Sequence, residues 1–258
     1  MHPLWLLIAV CGAFGLAIGS FLNVVIYRVP RRESIVTPPS SCPSCGTELA
    51  ARDNIPVLSW ALLRGKCRTC GTPISWQYPV VELLTAGLFA GVAGRFGYDW
   101  AVPAYLALFA GLLSLAWIDV ERMVLPKAIV YPVAVMVAGL LLIPAGAYDA
   151  WHSYWVAWAF AGGWFLLFYL MWFASPRLLG FGDVRLAPVL GLSLGWLGWR
   201  YVVLGFFAAN LIGAVIGIGL IAAKKAERQS RVPYGVFLAS GTAVAVYAGP
   251  EMVGWFHH

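Results

Sequence analysis

Residues 4–26 read LWLLIAVCGAFGLAIGSFLNVVI, an apolar run without a single charged side chain. A helix that crosses a bilayer needs about 20 mostly apolar residues, because each residue adds only about 1.5 Å of length. The stretch therefore predicts a membrane-spanning helix. Its nearest basic residues, Arg28, Arg31 and Arg32, follow the run, and no small-residue cleavage pattern comes after it. We therefore expect a retained span and not a signal peptide.

Comparable apolar runs recur along the chain. Of its 258 residues, 61% are hydrophobic and 11% are charged, and the mean hydropathy is +0.81. One water-soluble core cannot bury that much apolar surface, so we predict an all-α polytopic membrane protein with about eight transmembrane helices. The predicted spans are 4–26, 80–96, 101–118, 128–143, 151–174, 187–198, 201–222 and 235–255. The sixth is short, and is either a half-helix at membrane depth or longer than its apolar run.

The basic residues give this arrangement an orientation. If the amino terminus faces away from the cytoplasm, only Arg95 and Arg200 of the 17 lysines and arginines fall on the outer side. Such a bias is what the positive-inside rule predicts. We therefore interpret the net charge of +6 as a sign of topology and of contact with anionic lipid, with no nucleic-acid partner.

A polar, proline-rich segment interrupts the apolar runs between the first two spans. We expect residues 28–79 to form a small cytoplasmic insert that resembles a zinc ribbon. The predicted organisation is thus a first span at 1–27, the insert at 28–79, and a transmembrane core at 80–258 that contains the remaining spans.

The insert holds four of the five cysteines, in two C-x-x-C-G turns that are 21 residues apart. That separation is slightly longer than the usual four-thiolate spacing. Two ligands on each tight turn suit neighbouring corners of a zinc tetrahedron, and four protein ligands leave no open position for catalysis. Two disulfides or a redox pair are the alternatives, but a cytoplasmic location keeps thiols reduced. We predict a structural zinc ion held by Cys42, Cys45, Cys67 and Cys70, with Lys66 and Arg68 offsetting its negative charge and Cys11 serving only in packing.

Carboxylates at the edge of a membrane are costly and are therefore candidates for function. Four of them fall at cytoplasmic ends of predicted spans: Glu82, Asp119, Glu121 and Asp183. Asp119 and Glu121 would point about 200° apart on a helix, so only one of them can face the interior. Asp183 lies in a glycine-loosened stretch after Pro176, where an extended peptide substrate could approach. The alternatives are a solvated interfacial charge for Asp119 and a helix N-cap for Asp183.

Together, Asp119 and Asp183 suggest a catalytic dyad. Two neighbouring carboxylates share one proton, so one can deprotonate a water while the other polarises a scissile carbonyl. The sequence has no G-x-S-x-G or H-E-x-x-H motif, and its only histidines are His2, His152, His257 and His258. Serine and zinc protease mechanisms are therefore not indicated.

Several motifs resemble those of the bacterial type IV prepilin peptidases. They are residues 19–30 (GSFLNVVIYRVP), the two cysteine pairs, 53–60 (DNIPVLSW), 64–70 (RGKCRTC), 78–82 (YPVVE), 180–186 (GFGDVRL, with the G-x-G-D motif) and 232–239 (VPYGVFLA). The resemblance covers essentially the whole chain. Arg185 stands where lysine is usual and Tyr234 where phenylalanine is usual, and neither departure touches the aspartates.

The resemblance implies a multi-pass enzyme of the bacterial inner membrane with its active site facing the cytoplasm. It implies removal of the short basic leader from the prepilins of type IV pili and the pseudopilins of type II secretion, with Asp119 and Asp183 as the catalytic residues. It also implies methylation of the new amino terminus with S-adenosylmethionine. No dinucleotide-type G-x-G-x-x-G turn is present, so the residues that bind the methyl donor stay unassigned. Glu82 and Asn23 are candidates, although hydrogen bonding between helices explains them equally well.

Two other functions compete with proteolysis. A proton-coupled transporter would use the two aspartates as a proton relay, and a structural anchor would only present the zinc module to a partner. A basic leader also requires local negative charge on a cytoplasmic face rich in basic residues, and we expect Glu121 to supply it. The glycines at 12, 15 and 19 predict a close-packing helix face.

Overall fold

The computed structural model describes residues 3–176, 179–223 and 233–254. Five residues of the orientation count lie outside the described residues: Arg177, Lys224, Lys225, Arg228 and Arg231. Val232, from the last family motif, lies outside them as well.

Helices account for all the long elements of the described chain, which contains no β-strand and only two isolated bridges. They are α1 (Leu4–Arg28), α2 (Leu58–Leu62), α3 (Gln77–Phe96), α4 (Val102–Arg122), α5 (Lys127–Ala147), α6 (Trp151–Ala174), α7 (Phe181–Leu197), α8 (Trp199–Ala222) and α9 (Tyr234–Gly254). Apart from the five-residue α2, each corresponds to one of the eight predicted spans. By length and composition, α1, α3, α4, α5, α6 and α8 are long and apolar enough to cross a membrane. The all-α prediction is confirmed.

The chain forms two compact units, Met1–Tyr98 and Asp99–His258. In the first unit, α1 packs along α3 through its glycines. A Cβ atom on Gly15 would lie 2.7 Å from the Cα atom of Ala86, and one on Gly19 would lie 2.6 Å from the Cα atom of Glu82. The predicted close-packing face of α1 is therefore confirmed, and its partner is the helix that the sequence analysis placed in the peptidase core.

In the second unit, α7 lies among α5, α6, α8 and α9. Small residues again allow close approach, because a Cβ atom on Gly191 of α7 would lie 2.6 Å from the carbonyl oxygen of Phe160 on α6. The buried hydroxyl of Tyr105 on α4 donates a hydrogen bond to the carbonyl oxygen of Ser193 on α7 at 2.7 Å. This hydrogen bond links the helix that carries Asp119 to the helix that carries Asp183.

The sixth span is longer than its apolar run, which is the second of the two predicted alternatives. Helix α7 begins at Phe181, six residues before the predicted start at 187, and has 17 residues. Glycine disfavours helix, which is why the sequence placed 180–186 outside it. The first turn is held instead by hydrogen bonds between Gly180 and Asp183 in both directions. The ring of Phe181 also packs edge-on against Trp172, with centroids 5.0 Å apart.

Candidate active site

Asp119 lies in the last turn of α4, which ends at Arg122. Its side chain is only 5% exposed, whereas Glu121 is exposed and accepts a hydrogen bond from Nε1 of Trp117 at 2.9 Å. The prediction that only one of the two acids faces the interior is confirmed. The alternative of a solvated interfacial charge does not fit Asp119.

The carboxylate of Asp119 binds the amino terminus of α9. Its Oδ2 accepts a hydrogen bond from the N–H of Gly235 at 2.8 Å, and the backbone of Val236 binds the same carboxylate. The first N–H groups of a helix have no partner inside the helix and favour a negative charge. Residues more than a hundred positions apart along the chain therefore meet at this acid.

Gly235 is a site residue that sequence reasoning missed. A Cβ atom there would lie 2.8 Å from Oδ2 of Asp119 and 2.9 Å from a methyl carbon of Leu125. Only a residue without a side chain lets the Asp119 carboxylate reach the helix terminus. The available signal was the glycine directly after Pro233 and Tyr234, since glycine is a poor helix former at the start of an apolar run.

Asp183 lies in the first turn of α7 and is 7% exposed. Gly180 is the N-cap, and the Oδ2 of Asp183 accepts the N–H of Gly180 at 3.2 Å. The N-cap alternative for Asp183 is therefore wrong, because Gly180 holds that position and Asp183 lies within the first turn of the helix. The expected glycine-loosened stretch includes this first turn, in which Gly182 lies close to Leu125.

The two aspartates line the same cavity, which has a volume of about 310 Å³. The cavity is bounded by the segment after α4 and the first turn of α7: Asp119, Met123, Val124, Leu125, Gly180, Phe181, Gly182, Asp183 and Arg185. The two carboxylates interact electrostatically, and a backbone N–H holds each of them through Oδ2. The arrangement can bring a shared proton and a water to an extended peptide.

A second candidate site lies in the first unit, where the four cysteines of the insert come together. Their Sγ atoms all lie within 4.8 Å of one another, and the Sγ atoms of Cys42 and Cys70 are 3.8 Å apart. Four thiolates at about 2.3 Å from a zinc ion would be separated by about 3.8 Å, so this donor set fits a tetrahedral metal. All four cysteines are free thiols, which excludes the two-disulfide alternative in this structure.

The two cysteine turns have the same local structure. In each, the N–H of the first cysteine donates to the carbonyl oxygen of the threonine five residues later, Thr47 or Thr72, at 2.9 Å. The glycines that follow each pair, Gly46 and Gly71, have φ values of +70° and +72°, as a tight turn around a metal requires.

Polar groups next to two of the four sulfurs favour the thiolate form that a metal needs. The Thr72 hydroxyl lies 3.2 Å from the sulfur of Cys70 and lowers the pKa of that thiol to about 6. Thr47 lowers the pKa of Cys45 in the same way. Arg68, expected to offset the thiolate charge, instead forms an ion pair with Asp53 at 2.6 Å.

The two residues considered for binding the methyl donor, Glu82 and Asn23, are both buried in the first unit. Glu82 accepts the N–H of Val57 in the insert at 2.7 Å. The Nδ2 of Asn23 donates to the carbonyl oxygens of Gly19 and Tyr78. Within the described residues its buried Oδ1 has no hydrogen-bond partner.

Two family models match the chain. The bacterial peptidase A24 N-terminal domain matches residues 13–96, and the type IV leader peptidase family matches residues 106–218. The first contains the four cysteines and the second contains both aspartates.

Several curated relatives share one name, which describes two activities. A prepilin leader peptidase/N-methyltransferase of Aeromonas hydrophila is 35% identical over 98% of this chain and 94% of its own length. The protein with that name in Pseudomonas aeruginosa is 31% identical, over 97% and 93%. The one in Myxococcus xanthus is 42% identical over 81% of this chain and 62% of its own length. No solved structure matches the chain.

Proposed function

The chain belongs to the type IV leader peptidase family, and we propose that it cleaves the leader peptide from prepilins and pseudopilins with Asp119 and Asp183 as its catalytic pair. Its six apolar helices make it a multi-pass membrane protein. The transporter alternative has no support, because the relatives are named as peptidases and methyltransferases.

The observation that carries the assignment of the catalytic pair is the shared cavity. Two buried acids from elements 64 positions apart in sequence, Asp119 and Asp183, face one space of about 310 Å³. Burying two carboxylates together is costly, and a protein retains such a pair when the chemistry needs it. Arg185 also lines the cavity, but its guanidinium lies 4.7 Å from the ring centroid of Phe181.

The mechanism follows from a single shared proton. The ionised carboxylate takes a proton from a water, whose oxygen attacks the scissile carbonyl carbon, while the protonated carboxyl group donates its proton to the carbonyl oxygen. The tetrahedral intermediate then collapses, the C–N bond breaks, and the leaving amine takes up a proton. The N–H groups of Gly180 and Gly235 hold the two carboxylates in orientation during these steps.

The substrate reaches this cavity at the edge of the bilayer. Asp119 lies at the end of α4 and Asp183 at the start of α7, so an extended segment that leaves a substrate helix can enter without crossing the apolar interior. We propose that this edge faces the cytoplasm of a bacterial inner membrane, as the distribution of basic residues indicates. Glu121, two residues after Asp119, is exposed, and we propose that its charge attracts a basic leader to this edge.

We further propose that the four cysteines hold a structural zinc ion, whose role is to cross-link the two turns of the insert. By function, residues 1–27 form the first span, 28–79 the zinc-binding insert, and 80–258 contain the peptidase core. The relatives' names also support a second reaction, the N-methylation of the new amino terminus. S-adenosylmethionine is the methyl donor that we propose for it.

Replacing each aspartate by asparagine tests the peptidase proposal. The purified Asp119→Asn and Asp183→Asn variants should cleave a prepilin in detergent at least about a thousandfold more slowly than wild type, because neither amide can hold the shared proton. Asp149→Asn is the matched control, since Asp149 is exposed in the same unit and its positive φ suits asparagine equally well.

The same experiment separates the peptidase from a structural anchor. A structural anchor does not need either aspartate. Full cleavage by both variants would therefore show that Asp119 and Asp183 are not the catalytic residues. Equal loss of cleavage in Asp149→Asn would show that any charge change in this unit is damaging, and the assignment to Asp119 and Asp183 would fail.

A further inference from the structure

The segment that joins α4 to α5 forms one wall of the aspartate cavity. Met123, Val124 and Leu125 all line the cavity, and they follow directly on the helix turn that carries Asp119. Met123 has φ +53° and ψ +41°, and its N–H donates to the carbonyl oxygen of Asp119 at 2.8 Å. This left-handed residue ends the helix, and the residues that follow it run beside the catalytic acids.

The residues after Met123 have an extended backbone. Val124 and Leu125 belong to no helix, and neither has a positive φ. Leu125 precedes Pro126, and a proline ring disfavours helical backbone in the residue before it. Pro126 itself has φ −64° and ψ +126°, and α5 begins only after it. Residues 124–126 therefore form a short extended segment.

Packing fixes this segment from one side. Leu125 is 8% exposed and contacts the first turns of both α7 and α9. A Cβ atom on Gly182 would lie 2.9 Å from the Cβ atom of Leu125, and one on Gly235 would lie 2.9 Å from its Cδ2 atom. Because neither glycine has that atom, the Leu125 side chain packs directly against the backbone of two helices and holds the segment in place.

The backbone of the segment has hydrogen-bonding groups to spare. Within the part of the chain that the structure describes, the N–H and C=O groups of Val124 and Leu125 have no hydrogen-bond partner. The side chain of Val124 is 47% exposed, and that of Met123 is 52% exposed. Backbone N–H and C=O groups are strong hydrogen-bonding groups, and a row of unpaired ones along an extended segment is a template for another strand.

A peptide that is to be cleaved has the complementary need. A helical peptide keeps its carbonyl oxygens in hydrogen bonds inside the helix, so a substrate helix must unwind before its scissile carbonyl can be attacked. The N–H and C=O groups that unwinding frees then require partners, and the hydrocarbon region of a bilayer supplies none. An extended segment beside the two aspartates provides such partners without selecting particular side chains.

We propose, on the basis of the peptidase function above, that Val124 and Leu125 bind the cleavage segment of the prepilin as an added β-strand. Main-chain hydrogen bonds to these two residues hold the scissile carbonyl at a fixed distance from Asp119, whose helix turn leads directly into the segment. The exposed side chains of Met123 and Val124 cover apolar side chains of the substrate strand.

Replacing single amides in the substrate tests the strand with the wild-type, full-length chain in detergent. In each synthetic prepilin peptide one amide other than the scissile one becomes an ester, which removes one N–H donor. In a strand the N–H groups of alternate residues point to the same side. The kcat/KM should therefore fall about three- to tenfold at every second position, the effect of one lost hydrogen bond. At the positions between them it should stay near the value for the all-amide peptide.

Disulfide capture identifies the enzyme side of the strand. Val124→Cys places a thiol in the segment, and Val120→Cys places one at an exposed position in the last turn of α4 that does not line the cavity. Both variants also carry Asp183→Asn, so that the substrate stays intact. Opposed Cα atoms in paired strands lie about 4.5–5.5 Å apart, a distance that a disulfide spans. Prepilin peptides with one cysteine should be captured by Val124→Cys only at alternate positions near the scissile bond, at least about tenfold above Val120→Cys.

Alternating loss in the ester series, together with capture by Val124→Cys, supports the strand. Esters that all have the same effect or none, or equal capture by Val120→Cys, would overturn it. Alternating loss without capture at position 124 would overturn it as well, because the substrate would then pair with another part of the chain. If the wild-type chain cleaves the all-amide peptide but shows neither effect, only the strand fails. If it cleaves no peptide, the peptidase proposal fails and the strand fails with it.

Discussion

The four-cysteine site and the aspartate cavity are built from the chain in opposite ways. Each cysteine pair sits on its own tight turn, with a glycine, a threonine and a repeated backbone hydrogen bond supplied by the next few residues. Asp183 has one local partner, Gly180, but the pair of aspartates has no such local unit. Asp119 depends on Gly235 at the start of α9, and the cavity forms only after α4 and α7 have packed. A local site can be recognised from spacing, whereas a site assembled from distant segments requires the fold.

If that contrast is right, a small change far from Asp119 in sequence should damage catalysis strongly. Gly235→Ala places a Cβ atom 2.8 Å from Oδ2 of Asp119, and displacing the carboxylate should lower kcat for leader cleavage by about a hundredfold. The measurement is a cleavage time course with purified protein in detergent. Gly163→Ala is the control, because nothing lies within 4 Å of a Cβ atom at that position. Wild-type cleavage by Gly235→Ala would mean that the helix terminus does not position the acid.

The cysteine site is built from residues of the insert alone, so we expect the substitution of a single cysteine to release the metal. Cys70→Ser removes a ligand whose pKa is lowered to about 6, and zinc content should fall at least about tenfold. Elemental analysis measures the metal, and limited proteolysis within residues 28–79 reports the loosened insert. Cys11→Ser should keep its zinc, because Cys11 is buried in α1 and does not belong to the cluster. Full zinc content in Cys70→Ser would contradict the four-ligand assignment.

The smallest effect is expected at Glu121, which is exposed two residues after Asp119 and does not line the aspartate cavity. Glu121→Lys reverses this charge and should slow cleavage of a basic-leader substrate about two- to fivefold, the range of an exposed ion pair. Added salt should reduce the difference, because it screens exposed charges. Glu251→Lys is the control. It makes the same charge change at an exposed position near the carboxyl end of α9 and should have no effect. An unaltered rate in Glu121→Lys at low salt would show that the leader is recognised elsewhere.

The positions of the eight long helices could be predicted from the sequence because apolar runs of sufficient length have few other uses. The start of α7 could not. Its first turn contains Gly180 and Gly182, which local propensity places outside a helix, and it is stabilised by the Asp183 carboxylate and by Phe181 against Trp172. The contact with Trp172 comes from α6, and a tertiary contact of this kind overrides local propensity.

The candidate sites also differ in how much of each could be predicted from the sequence. The cysteine cluster follows from two C-x-x-C-G turns, and the candidate aspartates follow from the rarity of acids at membrane edges. Gly235 could not be assigned from sequence, because its role is to leave room for a side chain that is distant along the chain.

The most direct test of the central claim is mass spectrometry of the amino terminus of a prepilin, co-expressed with this chain in a host that has no prepilin peptidase of its own. With the wild-type chain we expect a mature, methylated pilin. With Asp183→Asn we expect the prepilin to keep its complete leader. A mature amino terminus in cells that contain only Asp183→Asn would contradict the account.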